Sequence, residues 1–252
     1  IFYLTILILE WVTDMPNELI LICSVVFIYG AALLGYKFFG KTGLYCISVI
    51  ATILANIEVT IMINAFGMEL TLGNVLFAVT FLITDILSEC EGKKAAQTAV
   101  YAGIFCSIFF LVLSQSWMLY TPSATDTIMP SIKAVFSNTP RMILASLVVY
   151  AVSQMFDVWL YHKWWNFTEK KFGNKRRFLW LRNNGSTLIS QILNTALFTA
   201  FAFWGTYDIP TLISIFISSY VIYIFTSLLD TPFVYIARKI HDKKLNAKAE
   251  KA

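Results

Sequence analysis

Long apolar runs separated by short polar clusters pattern this chain. Seven runs stand out, at residues 19–37, 43–66, 73–89, 98–120, 141–162, 186–205 and 211–237. A helix needs about 20 apolar residues to cross the hydrocarbon core of a bilayer, and the run 73–89 only just reaches that length. None of the runs alternates as a barrel strand does. A backbone in lipid must satisfy its own hydrogen bonds, so the runs predict membrane-spanning helices. Residues 1–12 are apolar apart from Glu10 but too short to span. The chain opens on Ile1 rather than Met, and this stretch is expected to be the tail of an eighth helix cut short at its start.

Composition agrees with the pattern. Of 252 residues, 58% are hydrophobic and 13% charged, too apolar a balance for a soluble domain. The fold class predicted is all-α, a polytopic membrane helix bundle. Charge then orients it. Lys37 and Lys41 fall in one connection, and Lys93 and Lys94 in the next but one. Lys163, Lys170, Lys171, Lys175, Arg176, Arg177 and Arg182 share a third, and Arg238, Lys239, Lys243, Lys244, Lys248 and Lys251 share the tail. Of the 19 Lys and Arg, only Lys133 and Arg141 lie on the opposite side. The positive-inside rule makes the basic side, and with it the C-terminus, cytoplasmic. The basic run 170–177 reads as this orientation signal beside anionic lipid rather than as a nucleic-acid site.

Within the spans, two blocks repeat a pattern: Ser153-Gln154-Met155-Phe156-Asp157 and Ser190-Gln191-Ile192-Leu193-Asn194. Each places Gln and an acid or amide three residues apart, on one helix face. Phe77, Phe81, Asp85 and Glu89 form a stripe at spacing four. Polar groups at membrane depth are costly and mark pathways or ligands. At ~1.5 Å rise per residue, Asp85, Asp157, Asn194 and Asp230 all lie about 9–12 Å from the basic boundary, which predicts one shared polar layer. Arg182 is the nearest counter-charge, with Asp85 or Asp157 or lipid phosphate as its partner. Glu58, in the outer half of its helix, is expected to face an outer vestibule or a helix interface, and Arg141 can pair with it. Pro232 follows Asp230 and Thr231 and should kink the last helix.

The connections carry further expectations. Residues 121–140 should hold a short surface helix, with Pro140 starting the next span. Trp164 to Arg182 mixes aromatic and basic residues as an interfacial segment does. Ser186 is a candidate N-cap, and so are Asn74 or Thr71 for the short helix. Cys23, Cys46, Cys90 and Cys106 show no metal or redox spacing, and buried, reduced thiols are expected. His162 and His241 lie at the basic boundary with no second ligand at metal spacing. No Walker sequence, HExxH or GxSxG is present, so neither enzymatic activity nor a cofactor is expected.

These blocks resemble the queuosine precursor transporter family, also described as vitamin-uptake-transporter-like. The matching residues are Phe81-Leu-Ile-Thr-Asp85-Ile-Leu-Ser-Glu89 with Gly92-Lys93-Lys94, and Pro140-Arg141 with Ser153-Gln-Met-Phe-Asp157-Val-Trp. Trp180-Leu-Arg182-Asn183-Asn184-Gly-Ser186-Thr187, Ser190-Gln191 and Asp230-Thr-Pro-Phe-Val-Tyr235 complete them. The resemblance covers about residues 43–240 and implies a six-helix transporter core there. Residues 1–42 would then be an extra N-terminal transmembrane region, and 241–252 a basic cytoplasmic tail. Two positions depart from the family pattern: Asn194, where aspartate is usual, and Glu58, where an amide is usual. A proton route through position 194 would be lost here or moved.

The function implied is import of 7-cyano-7-deazaguanine or its aminomethyl counterpart across a bacterial cytoplasmic membrane, by a secondary and proton-coupled mechanism. The chemistry of the residues agrees. A carboxylate accepts both N1–H and the neighbouring amine of a deazaguanine, an amide serves the O6 edge, and aromatic faces stack on the ring. Candidate carboxylates are Asp85, Glu89, Asp157 and Asp230; candidate amides are Gln154, Gln191 and Asn194. Phe77, Phe81 and Tyr220 are the stacking candidates, and Arg182 the charge balance. The alternative is a substrate-binding subunit that needs a separate ATPase, or a carrier of another nucleobase-like or vitamin-like solute. The partners are then a small solute and the bilayer, with a second copy of the chain also open.

Overall fold

A computed structural model describes residues 16–136, 140–173 and 177–250. The chain runs α1 (Asn17–Phe39), α2 (Lys41–Glu58), β1 (Met62–Ala65), β2 (Met68–Thr71), α3 (Gly73–Cys90) and α4 (Lys93–Trp117). It continues through α5 (Met129–Phe136), α6 (Pro140–Phe172), α7 (Leu179–Phe203) and α8 (Ile209–Ala249). Among the described residues, six helices are long and apolar enough to cross a membrane: α1, α3, α4, α6, α7 and α8. We read α2 as a seventh, because it runs back from the α1 end and packs along α3. Residues 1–12, Lys175 and Arg176 lie outside the described residues, as does the side chain of Arg141.

The bundle is built around α3. Its residues are 83% buried, against 28% for α1 and α4, and it packs on α1, α2, α4, α6 and α8. That explains why so short a span suffices: α3 is enclosed by protein rather than lipid. Phe105, Phe109, Val112, Ile217 and Leu228 on the outer helices are exposed, as a belt facing hydrocarbon requires.

The ends of the elements differ from the expected ones for local reasons. The run 43–66 was expected to be helical throughout, but α2 stops at Glu58 and Met62–Ala65 forms a strand. Short apolar stretches such as Ile61-Met62-Ile63 do not distinguish strand from helix, and the turn decides. Phe66 and Gly67 both adopt positive φ (55° and 70°), the hairpin turn that matches strand twist. The register pairs Met62 with Thr71 and Ala65 with Met68. Glu18 of α1 clamps the turn by accepting the Phe66 N–H at 2.8 Å. At the other end, Gly40 (φ 63°) reverses the chain between α1 and α2 within a single residue.

The connection 163–185 is mostly helix rather than an interfacial segment. α6 continues to Phe172 and α7 starts at Leu179, which leaves only 173–178 between them. Ser186 is therefore mid-helix and no N-cap: its hydroxyl donates to the Arg182 carbonyl at 2.8 Å. Neither Asn74 nor Thr71 caps α3, whose N-cap is Leu72. α5 occupies the 121–140 connection as expected; Asp126 accepts the Met129 N–H, and Phe136 packs on Phe110 and Trp117. The described part of α6 begins at Pro140. α8 extends to Ala249, and Lys244 donates to the Tyr36 carbonyl at 2.9 Å, closing the α1 C-terminus. All four cysteines are free thiols, but Cys23 and Cys46 are exposed rather than buried. A thiol is apolar enough for a lipid-facing position.

Candidate functional site

Two ends of the bundle differ in character, and the site lies between them. Toward the hairpin end, a narrow cavity is enclosed by α2, α3, α6, α7 and α8. Asn74 and Phe77 of α3, Asn194 and Phe198 of α7, and Ser219 and Tyr223 of α8 line it. It adjoins a wider recess bordered by hairpin residues Met68 to Thr71, with Val59, Thr71, Phe203, Ile215 and Ser219 common to both. Phe77 meets Phe81, Tyr150 and Tyr223 at centroid distances of 5.6, 5.9 and 6.4 Å, an aromatic wall on one side. Phe81 itself is fully buried behind Phe77.

Deeper along the bundle, three carboxyl groups meet. Asp85, Asp157 and Asp230 are each buried, and Asp85 has both others as charge neighbours. Thr187 donates to Asp85 Oδ2 at 3.0 Å, while Oδ1 has no partner. Neither oxygen of Asp157 has a hydrogen bond, although Ser186, Ser190 and Asp85 flank it. Asp230 is held differently: Asn183 Nδ2 donates to its Oδ1 at 2.5 Å, and Asn183 and Asn184 also reach Thr231. The hydroxyls of Ser153 and Ser190 and Oε1 of Gln191 are likewise without partners. Gln154 is committed, donating to Thr80 at 2.6 Å and accepting from Thr84 at 3.2 Å. Buried polar groups in proteins are almost always paired, so a cluster of unpaired oxygens at this depth is a chemical anomaly.

At the basic end, Glu89 is the hub of an ion-pair cluster. Arg182 Nη2 donates to both Glu89 oxygens, at 2.9 and 2.8 Å, and Nη1 donates to the Arg177 carbonyl at 2.7 Å. The guanidinium lies 4.4 Å from the Trp165 ring centroid, and Arg182 is wholly buried. Tyr161 donates to Glu89 Oε2 at 2.7 Å, and Arg238 Nη1 approaches Oε1 at 3.3 Å. One carboxylate of α3 thus ties α6, α7 and α8 together.

The stripe Phe77, Phe81, Asp85 and Glu89 does share one face, and Asp85, Asp157 and Asp230 do form a layer. Three expectations change. Arg182 pairs with Glu89 rather than with Asp85 or Asp157. Asn194 leaves the layer: it borders the cavity, about 10 Å from Thr187 along α7 at 1.5 Å per residue. A depth counted from Ser186 places Asn194 too near the basic boundary, because α7 starts two turns earlier, at Leu179. Tyr220 donates to the Leu188 carbonyl at 3.4 Å, and Tyr223 faces the cavity in its place. Glu58 is half-buried and outside the cavity lining. His162 stacks on Trp165, and His241 Nδ1 sits 2.8 Å from the Tyr36 hydroxyl. Among the described residues no cluster of His, Cys, Asp and Glu could hold a metal ion.

Asn74, Tyr161, Asn183, Thr187 and Tyr223 were not singled out as site residues. Tyr161 carried a signal, since it extends the α6 face one turn beyond Asp157. Tyr223 and Tyr220 are three apart, and spacing alone does not choose between them.

The family described as "Putative vitamin uptake transporter" matches residues 71–237. The chain belongs to this family. Every residue of the cavity wall on α3, α7 and α8, of the carboxyl layer and of the Glu89–Arg182 pair falls inside the matched segment of this transporter-family chain. It is also 37% identical over 208 residues to a protein of Bacillus subtilis (strain 168) named "Probable queuosine precursor transporter". That alignment covers 82% of this chain and 89% of the relative. No solved structure matches it.

Proposed function

We propose that this protein imports a queuosine precursor, 7-cyano-7-deazaguanine or its aminomethyl form, across the bacterial cytoplasmic membrane. The observation that carries the reading is the set of unpaired oxygens on Asp85 and Asp157, buried in the middle of the bundle. A deazaguanine edge offers N1–H and an amine side by side, the donor pair that such carboxylates accept. The name of the Bacillus relative supports the same solute class.

The mechanism is alternating access without ATP. The recess and cavity support entry at the hairpin end, and the basic residues support a cytoplasmic opposite end that includes the C-terminus. The Glu89–Arg182 cluster closes the cytoplasmic side in this state. For release, α6, α7 and α8 would separate from α3 there while the hairpin end closes. One of the Asp85–Asp157 pair takes a proton from the outer side while the other stays ionised to accept the solute's N–H groups, and the proton leaves to the cytoplasm with the solute. Phe81, packed behind Phe77, separates the cavity from the carboxyl layer and must move aside.

Uptake by the purified chain in proteoliposomes under a proton gradient tests the proposal. Uptake that requires the gradient supports it. Uptake seen only with an added ATPase would replace it with the subunit alternative. Failure of the purified chain to bind either deazaguanine would remove the solute.

A further inference from the structure

Asn74 holds an unused chemical capacity. It lies in the first turn of α3, yet its side chain caps nothing and instead lines the cavity. It is only 8% exposed, and its Nδ2 has no hydrogen-bond partner. Tyr223 donates its hydroxyl proton to Asn74 Oδ1 at 3.1 Å. The carbonyl half of the amide is thereby occupied, and the N–H donors are the half left for a ligand. Tyr223 is itself buried, so this bond to the amide is shielded from water.

Asn74 is also far from the acids. Eleven residues separate it from Asp85 on α3, about 16 Å at 1.5 Å rise per residue. A single deazapurine does not span that gap. A solute in the cavity therefore meets Asn74, Phe77, Asn194 and Tyr223 before the layer of Asp85, Asp157 and Asp230.

We propose that Asn74, oriented by Tyr223, is the specificity determinant of an entry station in this cavity. Its amide N–H groups donate to the ring carbonyl of an incoming oxo-purine-type solute, while Phe77 supplies the ring face. An analogue with an amine at that position brings donor against donor and is rejected. This rests on the deazaguanine reading and adds to it a second station, distinct from the carboxyl layer.

The test is calorimetric binding to the purified full-length protein in detergent. The probes are 7-cyano-7-deazaguanine and the analogue carrying an amine in place of its ring carbonyl. One well-placed hydrogen bond predicts a preference of about tenfold or more for the carbonyl form in the wild type. Asn74→Asp has no N–H to donate and should weaken the carbonyl form about tenfold, erasing the preference. Tyr223→Phe frees the amide to turn over and should narrow the preference by about threefold. Melting curves show whether each variant folds; if Asn74→Asp does not, Tyr223→Phe and Asn74→Ser carry the test. A preference that stays at the wild-type value in the folded variants overturns the proposal while leaving the deazaguanine reading intact. A wild type that binds neither probe overturns both, and the two failures are told apart by the wild type alone.

Discussion

Glu89 and Arg182 meet on both carboxylate oxygens, with Arg182 fully buried and Glu89 3% exposed. Taking two charges out of water is costly, and losing Arg182 leaves buried Glu89 only the longer contact with Arg238 and the Tyr161 hydroxyl. Arg182→Ala should therefore destabilise the protein by about 3–5 kcal/mol. A double change, Glu89→Gln with Arg182→Gln, should recover part of that loss. Melting in detergent measures both, with Glu89→Gln and Arg182→Gln alone alongside, and a double variant that loses the sum of the two single losses would show that the pair is not coupled.

Tyr161→Phe removes one donor from Glu89 and leaves Arg182 in place. A hydrogen bond to a charged group contributes about 1.5–3 kcal/mol, so the loss should be smaller than for Arg182→Ala. The same melting series ranks the two. In transport assays this variant should open the basic end more readily, with deazaguanine binding from the hairpin side retained.

The three buried aspartates should not respond alike. Asp230 already accepts from Asn183, whereas Asp157 has no hydrogen bond and Asp85 has one. Asp85→Asn and Asp157→Asn should each lower deazaguanine affinity by about tenfold or more. Asp230→Asn should alter binding less and stability more. Titration calorimetry separates the three, and unchanged affinity in all of them would remove the carboxyl layer from the solute's path.

Pro232 lies inside α8 and has no N–H for the Leu228 carbonyl. Pro232→Ala should restore that bond and raise the melting temperature. It should slow transport, because the freed carbonyl lets α8 bend beside Asp230. A faster or unchanged transport rate in liposomes would show that the proline has no part in the cycle.

The spans were legible because lipid imposes a severe rule: a helix that crosses it must be apolar over its length. The acid layer was legible for the same reason, since Asp85, Asp157 and Asp230 stand out against apolar neighbours. The stripe from Phe77 to Glu89 followed from helical spacing alone. Helix ends were less readable. The α6–α7 connection holds amphipathic sequence that serves an interfacial loop or a continued helix equally well, and packing chose the helix.

Partner choice belongs to the tertiary structure. Nothing in the local sequence says that Arg182 takes Glu89, that Asn183 takes Asp230, or that Tyr223 rather than Tyr220 turns inward. Each depends on the rotation and axial offset of one helix against another, which long-range packing sets. The amino-acid sequence by itself determined a membrane bundle with a basic end and buried acids. Only the folded bundle decided which acids are neutralised by partners and which keep unpaired oxygens, because a charge's worth depends on what lies within a few ångströms of it.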